Sequence, residues 1–368
     1  MTSLAPDRSG LPIAEAPDQL TEGWMTDALR WAGVISDQVG VSQVTHEMIG
    51  TGQMSGSARL TLRYDRPTTA PSTIIAKLPS ADPTSRATAL ALGSYENEVR
   101  FYQQIAPRVE IRTPRVFYAD IDVATAAFVL LLEDLHPART GDQLAGCDLQ
   151  EARVAIDELV GLHAPVWGDP WLEQLPWLHR DRAQQQMFLL GLLPQLWSGF
   201  NDRYRDRLGP DVRSAGGVLF ERLDAYVHAD TEPWTVVHGD YRLDNLLFNP
   251  DTTKVAVVDW QTCTHGPAMQ DVAYFIGAGL MPDTRREAEH DLVGRYHRGL
   301  LAAGIGSYDW DRCWHDYRRL TWAGLVMAVA ASMLVEQTDR GDEMFMAMAQ
   351  RHARHALDLG ADRLLRAQ

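Results

Sequence analysis

The sequence predicts an α+β chain in two lobes, a small antiparallel sheet with one inserted helix followed by a larger, mostly helical lobe. Two observations carry the prediction. Short runs with strand-like alternation are concentrated in the first third of the chain, up to Leu135. Beyond Leu135 the apolar spacing turns helical and stays so, apart from two short apolar runs at 236–248 and 254–260.

The elements follow in order. Residues 1–17 are Pro-rich and are expected to be loose, which leaves 18–135 as an N-terminal lobe and 136–368 as a C-terminal one. Leu20 to Trp31 has helical spacing behind a Thr21 cap. Val39 to Ile49 reads as a strand, and Arg59 to Tyr64 alternates. "PSTIIAKLP" is a third, apolar strand that carries Lys77. The polar stretch 79–88 reads as a loop, and "ALGSYENEVRFYQQIA" (91–106) as the inserted helix. "PRVFYADID" and "AAFVLLLEDL" form an antiparallel pair. Helix is expected over 148–167, and the apolar run from Trp322 to Val335 is a buried helix too short to span a bilayer.

Composition narrows the function. The chain has 368 residues and a net charge of −15, with 45% hydrophobic and 23% charged residues. That is a soluble profile without the basic surface that nucleic acid or an anionic membrane requires. Cys147, Cys263 and Cys313 have no metal-ligand spacing and read as reduced core thiols of a cytoplasmic protein. Of 34 basic residues only Lys77 and Lys254 are lysines.

The stretch "VVHGDYRLDNLLF" (236–248) sets polar residues between apolar flanks. His238-x-Asp240-x4-Asn245 is followed by an apolar strand and Asp259. This is the spacing of a phosphoryl-transfer loop, in which one carboxylate meets the acceptor hydroxyl while an amide and a second carboxylate hold Mg²⁺ through oxygen. A polar turn capping its own backbone is the plain alternative. "GTGQMSGS" before the Lys77 strand supplies Gly50, Gly52 and Gly56, which would let backbone N–H groups approach phosphates, with Ser55 pointing at one. A simple hairpin turn would use the same glycines. His163 and His238 lie in apolar contexts and read as core histidines.

"HGDYRLDN" and "VVDWQ" resemble the aminoglycoside phosphotransferase and choline kinase group. "YENEVRFY", "LLLEDL", "LVGLHAPVW" and "GPAMQDVAYF" are most similar to its ecdysteroid-kinase-like branch and bacterial relatives. The resemblance covers roughly residues 20 to 350. It implies a protein-kinase-like fold with a site between the lobes, and an ATP- (or GTP-) and Mg²⁺-dependent kinase acting on the hydroxyl of a small molecule. Asp240 would be the catalytic carboxylate, and Asn245 and Asp259 the metal ligands. Lys77 would grip the phosphates, paired with Glu98 rather than Glu96, which lies about 200° away around the helix. The backbone of Glu133 and Leu135 would meet the adenine edge, and Asp271 would brace the catalytic loop. Two other classes stay open. One is a metal-dependent hydrolase built on His238, Asp240 and Asp259. The other is a nucleotide-binding protein without turnover.

Overall fold

Five strand segments build a single antiparallel sheet in the first part of the chain. In the computed structural model, which describes residues 10–50, 54–178, 182–228 and 232–366, a capped helix α1 (Glu22–Trp31) precedes strands β1 (Val41–Ile49), β2 (Ser55–Tyr64) and β3 (Thr73–Pro79). Helices α2 (Pro83–Leu92) and α3 (Ser94–Arg100) follow, then β4 (Val116–Asp122) and β5 (Ala127–Glu133). The sheet order is β1-β2-β3-β5-β4. Leu60, Ile74, Ala76 and Leu131 are fully buried, together with Met25, Ala28 and Leu29 of α1. Each such Leu or Ile contributes about 1.5–3 kcal/mol. A one-residue slip of β3 would turn Ile74, Ala76 and Leu78 off the core, so the register is fixed by burial.

Three expectations change here. Residues 10–17 are not loose: Ala14 is buried, and the Trp24 indole donates to the Pro12 carbonyl at 2.8 Å. The 79–88 stretch is not all loop, because Asp82 accepts from the Ser85 amide at 2.7 Å and Pro83 opens a helix there. Asp-Pro at this point is an N-cap followed by a preorganised first turn. The 91–106 helix is interrupted. Gly93, at φ +68°, ends α2, and the chain beyond α3 widens into a π-type turn over Phe101–Ile105.

The chain divides into two compact units. One holds the residues up to Arg108, Thr113–His136 and Asp259–Gln261; the other holds Val109–Arg112, Pro137–Val258 and the residues from Thr262 onward. The second unit begins with β6 (Arg139–Thr140) and α4 (Leu149–His163), the latter closed by a capping box between Asp148 and Glu151. Then come α5 (Arg182–Arg203), α6 (Pro210–Glu221), α7 (Leu223–Val227), β7 (Trp234–Val237), β8 (Leu246–Phe248), β9 (Val255–Val257) and β10 (Thr264–Pro267). The rest is helical: α8 (Met269–Gly279), α9 (Pro282–Ala302), α10 (Trp310–Leu320), α11 (Trp322–Leu334), α12 (Asp339–Asp358) and α13 (Ala361–Arg366). Strands β6-β8-β9 form one small sheet and β7-β10 another.

Helices α8, α11 and α12 meet around His352, which is fully buried. A Cβ at Gly324 would lie 2.0 Å from its ring. Gly324→Ala should gain about 1 kcal/mol of helix propensity and lose about 1–3 kcal/mol to overpacking. The expected net result is a lower melting temperature, and an unchanged or higher one would show that the ring can yield.

All three cysteines are free thiols. Burial pushes Cys147 and Cys313 up to about 12 and Cys263 well above its ordinary value. The thiolate is the reactive form, so the folded protein should react with iodoacetamide at pH 8 far more slowly than the urea-unfolded chain. Three fast equivalents in the native state would contradict this.

Among the described residues, no helix is long and apolar enough to cross a membrane.

Candidate active site

β3 alternates, so Ile74, Ala76 and Leu78 enter the core while Lys77 faces the other side of the sheet. There its Nζ donates to Glu98 Oε1 at 2.6 Å and to Asp259 Oδ1 at 3.1 Å. Glu98, on α3, is fully buried, whereas Glu96 sits near Arg100 at 3.7 Å. Burial pulls the Lys77 pKa down, but the charges of Asp259 and Glu98 outweigh it and raise the pKa above its usual value. The ammonium is therefore permanent at neutral pH.

A residue with no role assigned from the sequence completes this cluster. Gln261, two residues after Asp259, donates through Nε2 to Ser55 Oγ at 2.9 Å and to Glu98 Oε2 at 3.4 Å. Its backbone carbonyl accepts from Asn97 at 3.0 Å. Ser55 is thus buried and tied into a bracket behind Glu98. Trp260 stacks on Phe101 at 3.6 Å, which fixes the segment between Asp259 and Gln261. Asp259 itself has φ +68°, in the left-handed region. Gly56 lies within β2, where an added Cβ would meet the Met48 side chain at 3.4 Å and the Pro79 carbonyl at 3.9 Å. Gly52 lies outside the described residues. At the end of β5, the Glu133 amide donates to the Arg115 carbonyl at 2.8 Å. Of the two, it is therefore Leu135 that can offer an N–H.

In the second unit the loop after β7 is held from below. Asp271, buried on α8, accepts from the His238 amide at 2.7 Å and the Gly239 amide at 2.9 Å. Gly239 has φ +81°, and a Cβ there would lie 2.6 Å from the Thr262 carbonyl, so only glycine fits. Both His238 ring nitrogens are engaged: Nδ1 accepts from the Asp240 amide at 3.2 Å, and Nε2 bonds the Val258 carbonyl at 3.0 Å. His163 bonds Tyr296 and Asp271 in the core. Both histidines thus brace backbone and core rather than facing a reaction centre.

Asp240 is partly exposed and carries three side-chain donors. Tyr274 Oη donates to Oδ1 at 2.6 Å, while Arg242 Nε and Asn245 Nδ2 donate to Oδ2 at 2.9 and 3.1 Å. Burial, then the Asp240 charge, pushes the Tyr274 phenol well above its ordinary pKa, so it remains a donor. Arg242 also pairs with Asp244 at 2.8 Å, and Gln143 accepts from the Leu243 amide at 2.9 Å. Asn245 commits its amide nitrogen to Asp240, which leaves its carbonyl oxygen as the end suited to a hard cation. Its backbone carbonyl accepts from the Val258 amide at 3.0 Å, pinning the residue before Asp259. Among the described residues, no three His, Cys, Asp or Glu side chains gather as a metal site.

Tyr274 and Arg242 had no role assigned from the sequence either. Tyr274 was legible in principle, since it lies three residues beyond Asp271, on the same face of α8.

The fold is the protein-kinase-like one of small-molecule kinases. The solved GDP complex of wild-type aminoglycoside 2'-phosphotransferase-IIIa shares it with a TM-score of 0.50 and 14% identity, covering 85% of this chain and 94% of that one. The chain belongs to the phosphotransferase enzyme family (APH), whose model matches residues 59–313. That family is described as one of phosphotransferase enzymes. Short, closer matches occur elsewhere. The mouse acyl-CoA dehydrogenase family member 10 is 49% identical over 51 residues, 14% of this chain and 5% of that protein. A probable acyl-CoA dehydrogenase of Arabidopsis thaliana, IBR3, is 50% identical over 40 residues, 11% of this chain and 5% of that protein. The matches thus span about a twentieth of the curated relatives' length.

Proposed function

We propose that the chain transfers the terminal phosphoryl group of ATP, or of GTP, to the hydroxyl of a small molecule with Mg²⁺. The observation that carries this is the Lys77 ammonium fixed by buried Glu98 and by Asp259. A cation so rigidly held suits the phosphate chain, where a compact point charge is needed. Asn245 and Asp259 would hold Mg²⁺; their oxygen donors suit it, and it would supply charge neutralisation on the phosphates. Asp240 orients the acceptor hydroxyl and takes its proton as the new O–P bond forms and the bridging P–O bond breaks. The Leu135 N–H would meet the base edge, beside the carbonyl of Glu133.

The engaged ring nitrogens of His238 disfavour the hydrolase reading, which needs one of them as a ligand. The negative chain suits a cationic acceptor such as an aminoglycoside, and the many tryptophans suit an apolar alcohol. A screen of hydroxylated compounds with ATP or GTP and Mg²⁺, following nucleoside diphosphate release and phosphorylated product, tests the proposal. Nucleotide binding without product from any acceptor would favour the silent binder. Acceptor-independent, zinc-dependent hydrolysis would favour the hydrolase.

A further inference from the structure

The side chain of Asp240 can take only a limited number of donors. A carboxylate oxygen accepts about two hydrogen bonds through its lone pairs. Oδ2 is filled by Arg242 Nε at 2.9 Å and Asn245 Nδ2 at 3.1 Å. Among the described residues, Oδ1 has one donor, the Tyr274 hydroxyl at 2.6 Å. One acceptor position therefore remains, and it lies on Oδ1.

We infer that Tyr274 is a positioning residue for phosphoryl transfer: its hydroxyl fixes Asp240 so that Oδ1 alone receives the acceptor's proton. The inference rests on the proposed role of Asp240 and adds to it which oxygen acts and what aims it.

The support beneath Tyr274 fits such a task. Its side chain is buried on α8. Its ring stacks on His352 of α12, with centroids 5.2 Å apart and planes 24° from parallel. That imidazole is fully buried, and burial lowers its pKa well below the ordinary value, so it packs as a neutral ring. Gly277 and Gly324 leave the space that it occupies. The other charged groups at the loop are spoken for: Arg242 bridges Asp240 and Asp244, and Arg340 lies 3.4 Å from Asp244. Without the Tyr274 hydroxyl the carboxylate keeps its anchor at Oδ2 but loses the one at Oδ1, and can rotate about its Cβ–Cγ bond. A misaimed acceptor costs rate and not ground-state affinity.

The test is Tyr274→Phe, which removes one oxygen and keeps the ring stacked on His352. The expected result is a 10- to 100-fold fall in kcat, with the nucleotide Kd, the acceptor KM and the melting temperature close to wild type. A double-mutant cycle with Asp240→Asn separates the possibilities. If Tyr274 acts through Asp240, the double variant is no slower than Asp240→Asn alone. Additive losses, or a Tyr274→Phe enzyme with wild-type kcat, would overturn the inference while leaving Asp240 in place. An Asp240→Asn enzyme with wild-type kcat would instead remove the reading beneath it. Should Tyr274→Phe fold poorly, the cycle is run at a temperature where all its variants stay folded, and additive losses there would still overturn the inference.

Discussion

Asp240→Asn should bind nucleotide almost as the wild type does and turn over about 10²- to 10⁴-fold more slowly, the usual range of a general-base contribution. The local donors say why the conservative change is so damaging. An amide at this position must set its NH₂ against Tyr274 or Arg242. A guanidinium cannot accept a hydrogen bond and a phenol can. The NH₂ therefore goes to the Oδ1 side, where it places a donor in the one position left for the acceptor hydroxyl. Nucleotide titration beside single-turnover transfer separates this outcome from loss of a metal ligand, which would appear chiefly as weakened metal–nucleotide affinity. Wild-type transfer by the variant would end the case for Asp240.

Lys77→Met should weaken nucleotide affinity or turnover at least tenfold, equivalent to about 1.4 kcal/mol. It should also destabilise the protein, because it leaves the fully buried Glu98 without its cation. Removing one partner of a buried pair costs about 3–5 kcal/mol, less whatever Glu98 recovers by taking up a proton. The two effects can be parted. Adding Glu98→Gln to Lys77→Met removes the orphaned charge, so thermal stability should return while turnover stays low. Nucleotide affinity and turnover both unchanged in the single variant would take Lys77 out of the site.

The sequence made the architecture legible wherever chemistry repeats at short range. Short strand-like runs marked the sheet, and a Lys inside Thr73–Pro79 stood out because the chain uses Arg almost everywhere else. Asp240, Asn245 and Asp259 were picked out by spacing on one loop and the strand after it. Even where a supporting residue such as Tyr274 was legible, its partner was not, because these bonds join residues far apart in the chain. Gln261 meets Ser55 across 206 positions and Tyr274 meets Asp240 across 34. Ser55 was expected to face a phosphate on the strength of a glycine-rich turn; its Oγ accepts from Gln261 Nε2, and nothing local announces that bond. The helix over 83–92 was missed for a different reason. Its residues are small and polar, so periodicity is faint, and only the Asp82-Pro83 start marks it.

The backbone at Asp259 restricts which residues the position can hold. At φ +68° the chain admits glycine freely, asparagine and aspartate at small cost, and other residues only with strain of roughly 1 kcal/mol or more. A hard cation asks independently for a short side chain ending in oxygen. Two filters of unrelated origin thus overlap on Asp and Asn, and charge then separates those two. A saturation library at 259 should consequently give two nested sets of survivors. Selection for folding alone should retain Gly, Asn and Asp as the most stable members, while selection for phosphoryl transfer should retain Asp. Glutamate, the usual conservative exchange, should fail both.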